Sequence, residues 1–199
     1  MEKKLIVEKG FIHDRIPQNV YKELSESINF LDLNSTKHYN KKLAGNIQKE
    51  FNVTNSIPSS FYEYVAFLAN SYYDYFPVEK IGDKKTFTFI DAWLNYQKKH
   101  EFNPLHSHGG SLSYVVWLKI PYDIEVELSL PNCVKSNFPR NSFFEFFVDD
   151  VNYPIRVDSS MEGEIIIFNS SYKHVVYPFY SSNKYRISLA GNLETDWVD

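Results

Sequence analysis

The sequence lacks the features of a secreted or membrane-spanning protein. Its 199 residues include one cysteine, Cys133, which excludes an internal disulfide and fits a reducing compartment. The first apolar run is too short for a signal peptide, and no stretch is long and apolar enough to span a bilayer. We therefore expect an intracellular, cytoplasmic protein without a membrane partner.

A long basic run is also missing, and the net charge is −4, so nothing indicates a nucleic-acid partner. Hydrophobic residues make up 43% of the chain and aromatic residues 17%. This apolar content is sufficient for an ordered core, and the many aromatic residues favour β-sheet. The length predicts a single domain over residues 1–199.

The N-terminal part of the chain has a helical pattern. Apolar residues recur at helical spacing over residues 18–31, after Pro17, and again from Pro58 to about residue 76. A short helix is predicted over residues 42–51 and a strand over residues 4–11. Residues 1–82 are thus expected to form a mainly helical support for a core over residues 83–193.

From about residue 83 the pattern changes to that of strands. The predicted strands cover residues 85–98, 111–120, 124–130, 143–148, 153–157, 164–168, 174–180 and 185–190. The nearly continuous apolar run at 111–120 is typical of a strand that is covered on both faces. About eight strands at this spacing predict a mainly β (α+β) protein: a cupin-like double-stranded β-helix, or jelly roll, with N-terminal supporting helices.

Three histidines give the best functional signal. His106 and His108 are two residues apart, and alternate residues of a strand point to the same face, so both rings can converge on one point. His174 lies in a later strand-like run. Because imidazole suits iron, zinc, copper and nickel, the three histidines are candidate ligands of one metal ion. Asp91 or Glu101 could add a carboxylate if the fold brings either one near.

The order of these motifs resembles that of a known superfamily. The pattern begins with H-x-H and an apolar strand. A glycine, four apolar residues, a polar turn and a histidine come next, in that order, and R-I-S-x-x-x-N ends the pattern. It resembles the iron(II)/2-oxoglutarate-dependent oxygenases, and more narrowly the oxygenases encoded by tailed phages, notably marine cyanophages. The similar segments are Trp93–Gln97, Asn103–His108, Ile120–Asp123, Leu43–Ile47 and Lys49–Phe51.

The resemblance implies a non-haem oxygenase, most simply a hydroxylase, that uses Fe(II) and 2-oxoglutarate. His106, His108 and His174 would bind the iron. Arg186 would bind the distal carboxylate of 2-oxoglutarate, because a guanidinium matches a carboxylate in shape and charge. The residues that could add hydrogen bonds to this cofactor are Asn95, Tyr96 and Ser188. The alternative for Arg186 is a surface ion pair with Glu162 or Glu164.

One position departs from the superfamily pattern. His108 stands where the superfamily usually has an aspartate or glutamate, which leaves the metal site one unit more positive. Two alternatives therefore stay open: a cupin-like three-histidine metalloprotein that does not use 2-oxoglutarate, and a non-catalytic phage jelly-roll protein. We expect a small-molecule or peptidyl substrate, a possible homodimer and, for a phage-encoded chain, the host cytoplasm as its location.

Overall fold

The computed structural model of the protein describes residues 6–8, 10–78 and 84–198. These residues contain the helices α1 (Gln18–Asn29), α2 (Ser59–Tyr75) and α3 (Ile124–Ser129). Their strands are β1 (Ile6–Glu8), β2 (Phe11–Arg15), β3 (Glu50–Asn52), β4 (Lys84–Gln97), β5 (Asn103–His106), β6 (Leu112–Lys119), β7 (Phe144–Val148), β8 (Val151–Ile155), β9 (Glu164–Asn169), β10 (Lys173–Val176) and β11 (Arg186–Val198). Within these ranges, no helix is long and apolar enough to cross a membrane.

The strands form two antiparallel sheets. The major sheet has seven strands in the order β1-β2-β9-β6-β11-β4-β3, and the minor sheet has four in the order β5-β10-β7-β8. Apart from β1–β2, β3–β4 and β7–β8, neighbouring strands are not consecutive in the chain, as in a jelly roll, where the chain crosses repeatedly between sheets. This arrangement confirms the predicted mainly β, double-stranded β-helix class.

The major sheet is covered on both faces. On its outer face, Ile165 and Ile167 of β9 pack with the apolar sides of α1 and α2. On its inner face, Ile166 and Phe168 of the same strand pack with aromatic residues of the minor sheet. Successive side chains of a strand point to opposite faces, so a strand in this position needs apolar residues at every step. The continuous apolar run predicted as a doubly covered strand is β6, and this prediction is confirmed.

Two further local predictions are confirmed. The helical patterns after Pro17 and Pro58 form α1 and α2, whose buried residues lie along one stripe of each helix. The strands predicted at residues 143–148 and 153–157 form the antiparallel hairpin of β7 and β8, joined by Asp149 and Asp150 at φ angles of 49° and 60°. A two-residue turn with both φ angles positive matches the right-handed twist of paired strands.

The prediction of a short helix over residues 42–51 is wrong. A single turn of 3-10 helix covers Asn40–Lys42, and an extended loop then leads to β3. A distant segment of the chain holds this loop in place, because the backbone N–H of Asn46 donates to the carbonyl of Phe102 at 2.8 Å. β3 pairs with β4, so sheet pairing replaces the local helical preference.

The prediction of a strand over residues 124–130 is also wrong, because these residues form α3. The Asp123 carboxylate accepts hydrogen bonds from the backbone N–H groups of Glu125 and Val126, which is the N-cap that begins a helix. The buried residues are Ile124 and Glu127, three apart as on a helix face.

The N-terminal part contributes strands as well as helices, because β1, β2 and β3 join the major sheet. The last strand, β11, has 13 residues and extends well beyond the predicted 185–190. The predicted boundary near residue 82 lies outside the described residues, as do residues 4, 5 and 9 of the predicted first strand.

Candidate active site

The three histidines predicted as metal ligands lie together between the two sheets. One ring nitrogen of each residue lies within 4.8 Å of the other two. His106 and His174 are direct cross-strand partners on β5 and β10. The Nε2 atoms of His108 and His174 are 3.2 Å apart, a separation suited to two ligands that each lie about 2.1 Å from one ion. The cluster therefore fits a single divalent metal.

The position of His108 in the cluster does not result from the alternation of side chains along a strand. β5 ends at His106, so only the first of the two histidines is in the strand. The backbone N–H of His108 instead donates to the carbonyl of Ser170 at 2.9 Å, in the turn that leads to His174. Its ring also packs against Trp93, with the ring centres 5.6 Å apart. The pairing of two distant loops therefore decides where this ring points.

The histidine rings are neutral and held in place. Burial lowers the pKa of His106 below its ordinary value, and burial together with His106 lowers the pKa of His108 to about 4. Burial and the two neighbouring rings also hold the pKa of His174 well below its ordinary value. A neutral imidazole has a free lone pair for a metal.

Backbone carbonyls orient two of these rings. The Nδ1 atoms of His106 and His174 lie 2.7 Å and 3.0 Å from the carbonyls of Pro104 and Tyr172. A hydrogen bond from Nδ1–H to a carbonyl leaves Nε2 as the metal-binding atom, the usual arrangement for a histidine ligand. The ring of His174 also stacks on Phe144, with centres 5.3 Å apart.

Arg186 is buried beside the histidines, with 2% of its surface exposed, so the alternative of a surface ion pair is wrong. It lines the same cavity of about 160 Å³ as the three histidines. Its guanidinium donates to the side-chain oxygens of Gln97 and Tyr122 and to the carbonyls of Ser142 and Tyr177. All of these acceptors are neutral, and Arg186 has no ion pair within the described ranges. Its positive charge is therefore uncompensated.

Gln97 is the closest partner of this charge. Its Oε1 atom accepts from Nε of Arg186 at 3.1 Å and from Nη2 at 2.6 Å. One oxygen thus occupies the edge of the guanidinium that would otherwise face a carboxylate. A carboxylate ligand of Arg186 would take over hydrogen bonds that Gln97 and the backbone now make.

The other predicted cofactor-binding residues divide between the two faces of the major sheet. Asn95 and Ser188 line the cavity, and Nδ2 of Asn95 donates to Oγ of Ser188 at 3.2 Å. The Tyr96 ring points to the opposite face, where it packs edge-on against Phe51. The structure therefore brings Asn95 and Ser188 to the site but not Tyr96.

Neither candidate carboxylate joins the histidines. Asp91 accepts hydrogen bonds from the Tyr39 hydroxyl at 2.8 Å and from Asn192 at 2.9 Å. The carboxylate of Glu101 accepts from backbone N–H groups outside the site. Among the described residues, the group with metal-ligand spacing contains the three histidines alone.

Sequence reasoning missed several residues of the cavity wall. Gln97 and Asn103 line it, and Trp93 and Trp117, which the sequence indicates as core or barrel-lining residues, line it as well. The signal for Gln97 was present, because residues 93, 95 and 97 of one strand share a face. Asn103 carries no such signal, since its place depends on how β5 meets the loop at residues 43–47.

Comparisons with known proteins agree with this geometry. Residues 91–192, just over half of the chain, match the family described as "Putative 2OG-Fe(II) oxygenase". No match to the chain was found among curated protein sequences.

Solved structures share the fold at low sequence identity. A prolyl-4-hydroxylase from Pseudomonas putida is 13% identical, with a TM-score of 0.57 over 93% of this chain and 92% of that one. A viral collagen prolyl hydroxylase from Paramecium bursaria Chlorella virus-1, solved with 2-oxoglutarate, is 13% identical, with a TM-score of 0.58 over 91% and 94%. HygX from Streptomyces hygroscopicus, solved with nickel, 2-oxoglutarate and hygromycin B, is 10% identical, with a TM-score of 0.56 over 93% and 82%. The chain belongs to the 2OG-Fe(II) oxygenase family, whose members are dioxygenases that use Fe(II) and 2-oxoglutarate.

Proposed function

We propose that the protein is a non-haem Fe(II)/2-oxoglutarate-dependent hydroxylase in which His106, His108 and His174 bind the iron. Arg186 binds the distal carboxylate of 2-oxoglutarate. The observation that carries this proposal is a buried arginine with no carboxylate partner, in the same cavity as three neutral, converging histidines. Three neutral ligands leave the full charge of the metal in place, so the site attracts a dianion.

The residues of the chain supply binding, orientation and a dry cavity. Fe(II) and 2-oxoglutarate, when bound, supply the activation of O₂ that oxidises a C–H bond of the substrate. The histidines bind without first losing a proton, because their pKa values are already lowered. Phe144 and Phe168 pack against His174 and keep water from one side of the cluster.

Arg186 is held rigidly before any ligand binds. Its guanidinium lies near the faces of Tyr122 and Phe179, with its carbon 5.9 Å and 5.7 Å from the ring centres. The Arg186 side chain is therefore ordered by folding and not by binding. Its entropy cost does not reduce the affinity for a carboxylate. Gln97 keeps the N–H groups satisfied until a carboxylate displaces it, and Ser188, two residues along β11, lines the same cavity.

The substrate is proposed to be a small molecule or a peptidyl side chain. The motifs that resemble those of tailed-phage oxygenases also lead us to propose a phage-encoded enzyme that acts in the host cytoplasm. A three-histidine metalloprotein that does not use 2-oxoglutarate is the competing function, and the buried charge of Arg186 argues against it.

The proposal is tested by anaerobic titration with Fe(II) and then 2-oxoglutarate, following the visible charge-transfer band of the iron chelate. We expect the band in the wild-type protein and its loss in His106→Ala and His174→Ala. The matched control is His38→Ala, because His38 is an exposed histidine outside the cluster. Iron binding without the band would support the metalloprotein that does not use 2-oxoglutarate. Absence of iron binding would refute both functions.

Arg186 is tested through its neighbour, because removing a buried arginine with five hydrogen bonds endangers folding. Gln97→Glu places a carboxylate against the guanidinium, so the charge is satisfied internally. We expect 2-oxoglutarate affinity to fall by about tenfold or more, with iron binding retained. Gln48→Glu, at an exposed position, is the matched control. Unchanged affinity in Gln97→Glu would remove Arg186 from the proposed binding site.

A further inference from the structure

A row of polar side chains crosses three neighbouring strands beside the cavity. Asp91 of β4 and Ser113 of β6 are both register partners of Asn192 on β11, so the three side chains share one face of the sheet. This is the inner face, because Ala190, two residues from Asn192 on the same strand, lines the cavity. Ser113 is 1% exposed and Asn192 is 8% exposed. The polar row is therefore buried directly behind residues of the cavity wall.

Hydrogen bonds join this row from end to end. The carboxylate of Asp91 accepts from the Tyr39 hydroxyl at 2.8 Å and from Nδ2 of Asn192 at 2.9 Å. Oδ1 of Asn192 accepts from the Ser113 hydroxyl at 2.7 Å. Oγ of Ser113 also lies 2.9 Å from Oγ of Ser170, in the turn between β9 and β10. A continuous chain of hydrogen bonds thus joins β4 to this turn.

The carboxylate of Asp91 sets the direction of every bond in the chain. A carboxylate only accepts, so Asn192 turns its amide nitrogen to Asp91 and its oxygen to Ser113. Ser113 uses its single hydroxyl proton on Asn192, so the proton between the two serines comes from Ser170. Burial and the hydrogen bond to Asp91 raise the pKa of Tyr39 to about 12, so this hydroxyl stays a donor. The chain therefore has a single arrangement of donors and acceptors.

Ser170 connects the chain to a candidate metal ligand. This residue is fully buried, and its carbonyl accepts from the backbone N–H of His108 at 2.9 Å. Its own backbone N–H donates to the carbonyl of Ser111 at 3.2 Å. The hydroxyl, the N–H and the carbonyl of Ser170 are thus all bonded within the fold. A change in the position of Ser170 would move the backbone of His108.

His108 depends on this support more than the other two histidines do. Backbone carbonyls orient the rings of His106 and His174. Among the described residues, the only hydrogen-bond contact of the His108 ring is with Nε2 of His174, on the side of the metal. His108 also follows the end of β5, so strand pairing does not fix its backbone. Its position therefore depends on the bond to Ser170 and on the packing of its ring against Trp93.

We propose that Asn192 is a positioning residue for the metal ligand His108. It acts through Ser113 and the turn at Ser170, and Asp91 orients its amide group. Asn192 ends the R-I-S-x-x-x-N pattern, and the proposed function gives it no other role. The inference rests on the proposed function, because it takes the three histidines as the ligands of the iron. Groups that orient a metal ligand contribute roughly 10- to 100-fold to metal affinity or activity.

The first measurement is Ni(II) binding to the full chain without 2-oxoglutarate, followed by calorimetry, because imidazole ligands suit nickel. Asn192→Ala should weaken Ni(II) binding by about tenfold. Ser113→Ala breaks the same chain with a smaller loss of volume and should have a similar effect, so the test does not depend on one variant folding. The matched control is Asn141→Ala, which should keep wild-type affinity. Asn141 is also 8% exposed, and it donates to the carbonyl of Glu127 outside the cavity.

A double-mutant cycle separates the positioning of His108 from a general effect on the fold. In a His108→Ala background the chain has no ring left to position, so Asn192→Ala should cause no further loss of Ni(II) affinity. A residue that only stabilised the fold would weaken Ni(II) binding by the same factor in both backgrounds. That result, or wild-type affinity in both Asn192→Ala and Ser113→Ala, would overturn the inference.

Hydrogen exchange of the metal-free protein tests the same role at the backbone. Asn192→Ala should accelerate exchange of the His108 N–H more than exchange of the His100 N–H, because the first bond opens locally. The His100 N–H is the matched control within the molecule, since it donates to the carbonyl of Phe179 at the same 2.9 Å. Equal acceleration of the two would indicate a loss of global stability and would contradict the positioning role.

The charge-transfer titration tests the proposed function separately. A normal band without coupling between Asn192 and His108 would refute the positioning role alone. Coupling without the band would support the positioning role and refute the use of 2-oxoglutarate. Absence of Ni(II) binding by the wild-type protein would refute both.

Discussion

The burial of Glu50 predicts a pH dependence of stability that a single substitution removes. Burial, with a smaller contribution from Glu101, raises the pKa of Glu50 from an ordinary value of 4.5 to about 7. Between these two values the folded protein binds more protons than the unfolded chain. This contribution to stability is fully present below pH 4.5 and is lost as the pH rises to about 7.

The magnitude follows from the size of the shift. One pKa unit corresponds to about 1.4 kcal/mol, so a shift of roughly 2.5 units makes the folded state about 3 kcal/mol less stable at pH 8 than at pH 4. Glu50→Gln stays neutral at every pH and lacks this term. The free energy of unfolding of the variant, relative to that of the wild type, should therefore increase by about 3 kcal/mol from pH 4 to pH 8.

The assay is urea unfolding of the metal-free wild type and Glu50→Gln at several pH values from 4 to 8. The titration of the histidines is common to both proteins and cancels in the difference. Glu101→Gln removes the smaller cause of the shift and should reduce the pH dependence only in part. Parallel pH profiles for wild type and Glu50→Gln would show that Glu50 titrates normally, and the reasoning from burial would be wrong.

Three further substitutions test local features. Gly45→Ala should destabilise the protein, because its Cβ would lie 2.2 Å from Oδ1 of Asn103; thermal unfolding would detect the loss, and a wild-type unfolding temperature would contradict it. Tyr114→Phe should leave stability unchanged or raise it by up to about 1 kcal/mol, because the buried hydroxyl has no partner among the described residues; a clear loss in urea unfolding would reveal a hidden hydrogen bond. Asp123→Ala removes the N-cap of α3 and should cost about 1 kcal/mol in the same assay, with Asp123→Asn as the matched control that keeps an acceptor.

The identities of the residues at the candidate active site could be predicted from the sequence better than their positions in space. The three histidines were found from their spacing and Arg186 from the resemblance to the oxygenase superfamily, and the structure brings all four to one cavity. Tyr96 was expected beside Asn95 at the cofactor, but adjacent residues of a strand face opposite ways. That rule alone would have replaced Tyr96 with Gln97.

Local periodicity explains which elements were predictable. The helices α1 and α2 and the β7–β8 hairpin depend on residues close in sequence, and each carries its own apolar spacing or turn residues. α3 was missed because alternating apolar and acidic residues fit a short strand as well as a helix. Its N-cap at Asp123 and the burial of Glu127 decide between the two.

The sequence by itself therefore determined the β-rich class, the two long helices and the identity of the metal-binding candidates. The tertiary structure alone decided where His108 points, through a backbone hydrogen bond to Ser170, and that the charges of Arg186 and Glu50 are both buried without ion pairs in the described part of the chain. The physical reason is distance along the chain. The neighbouring strands β2 and β9, for example, are about 150 residues apart in the chain, and no local pattern records that they will pair.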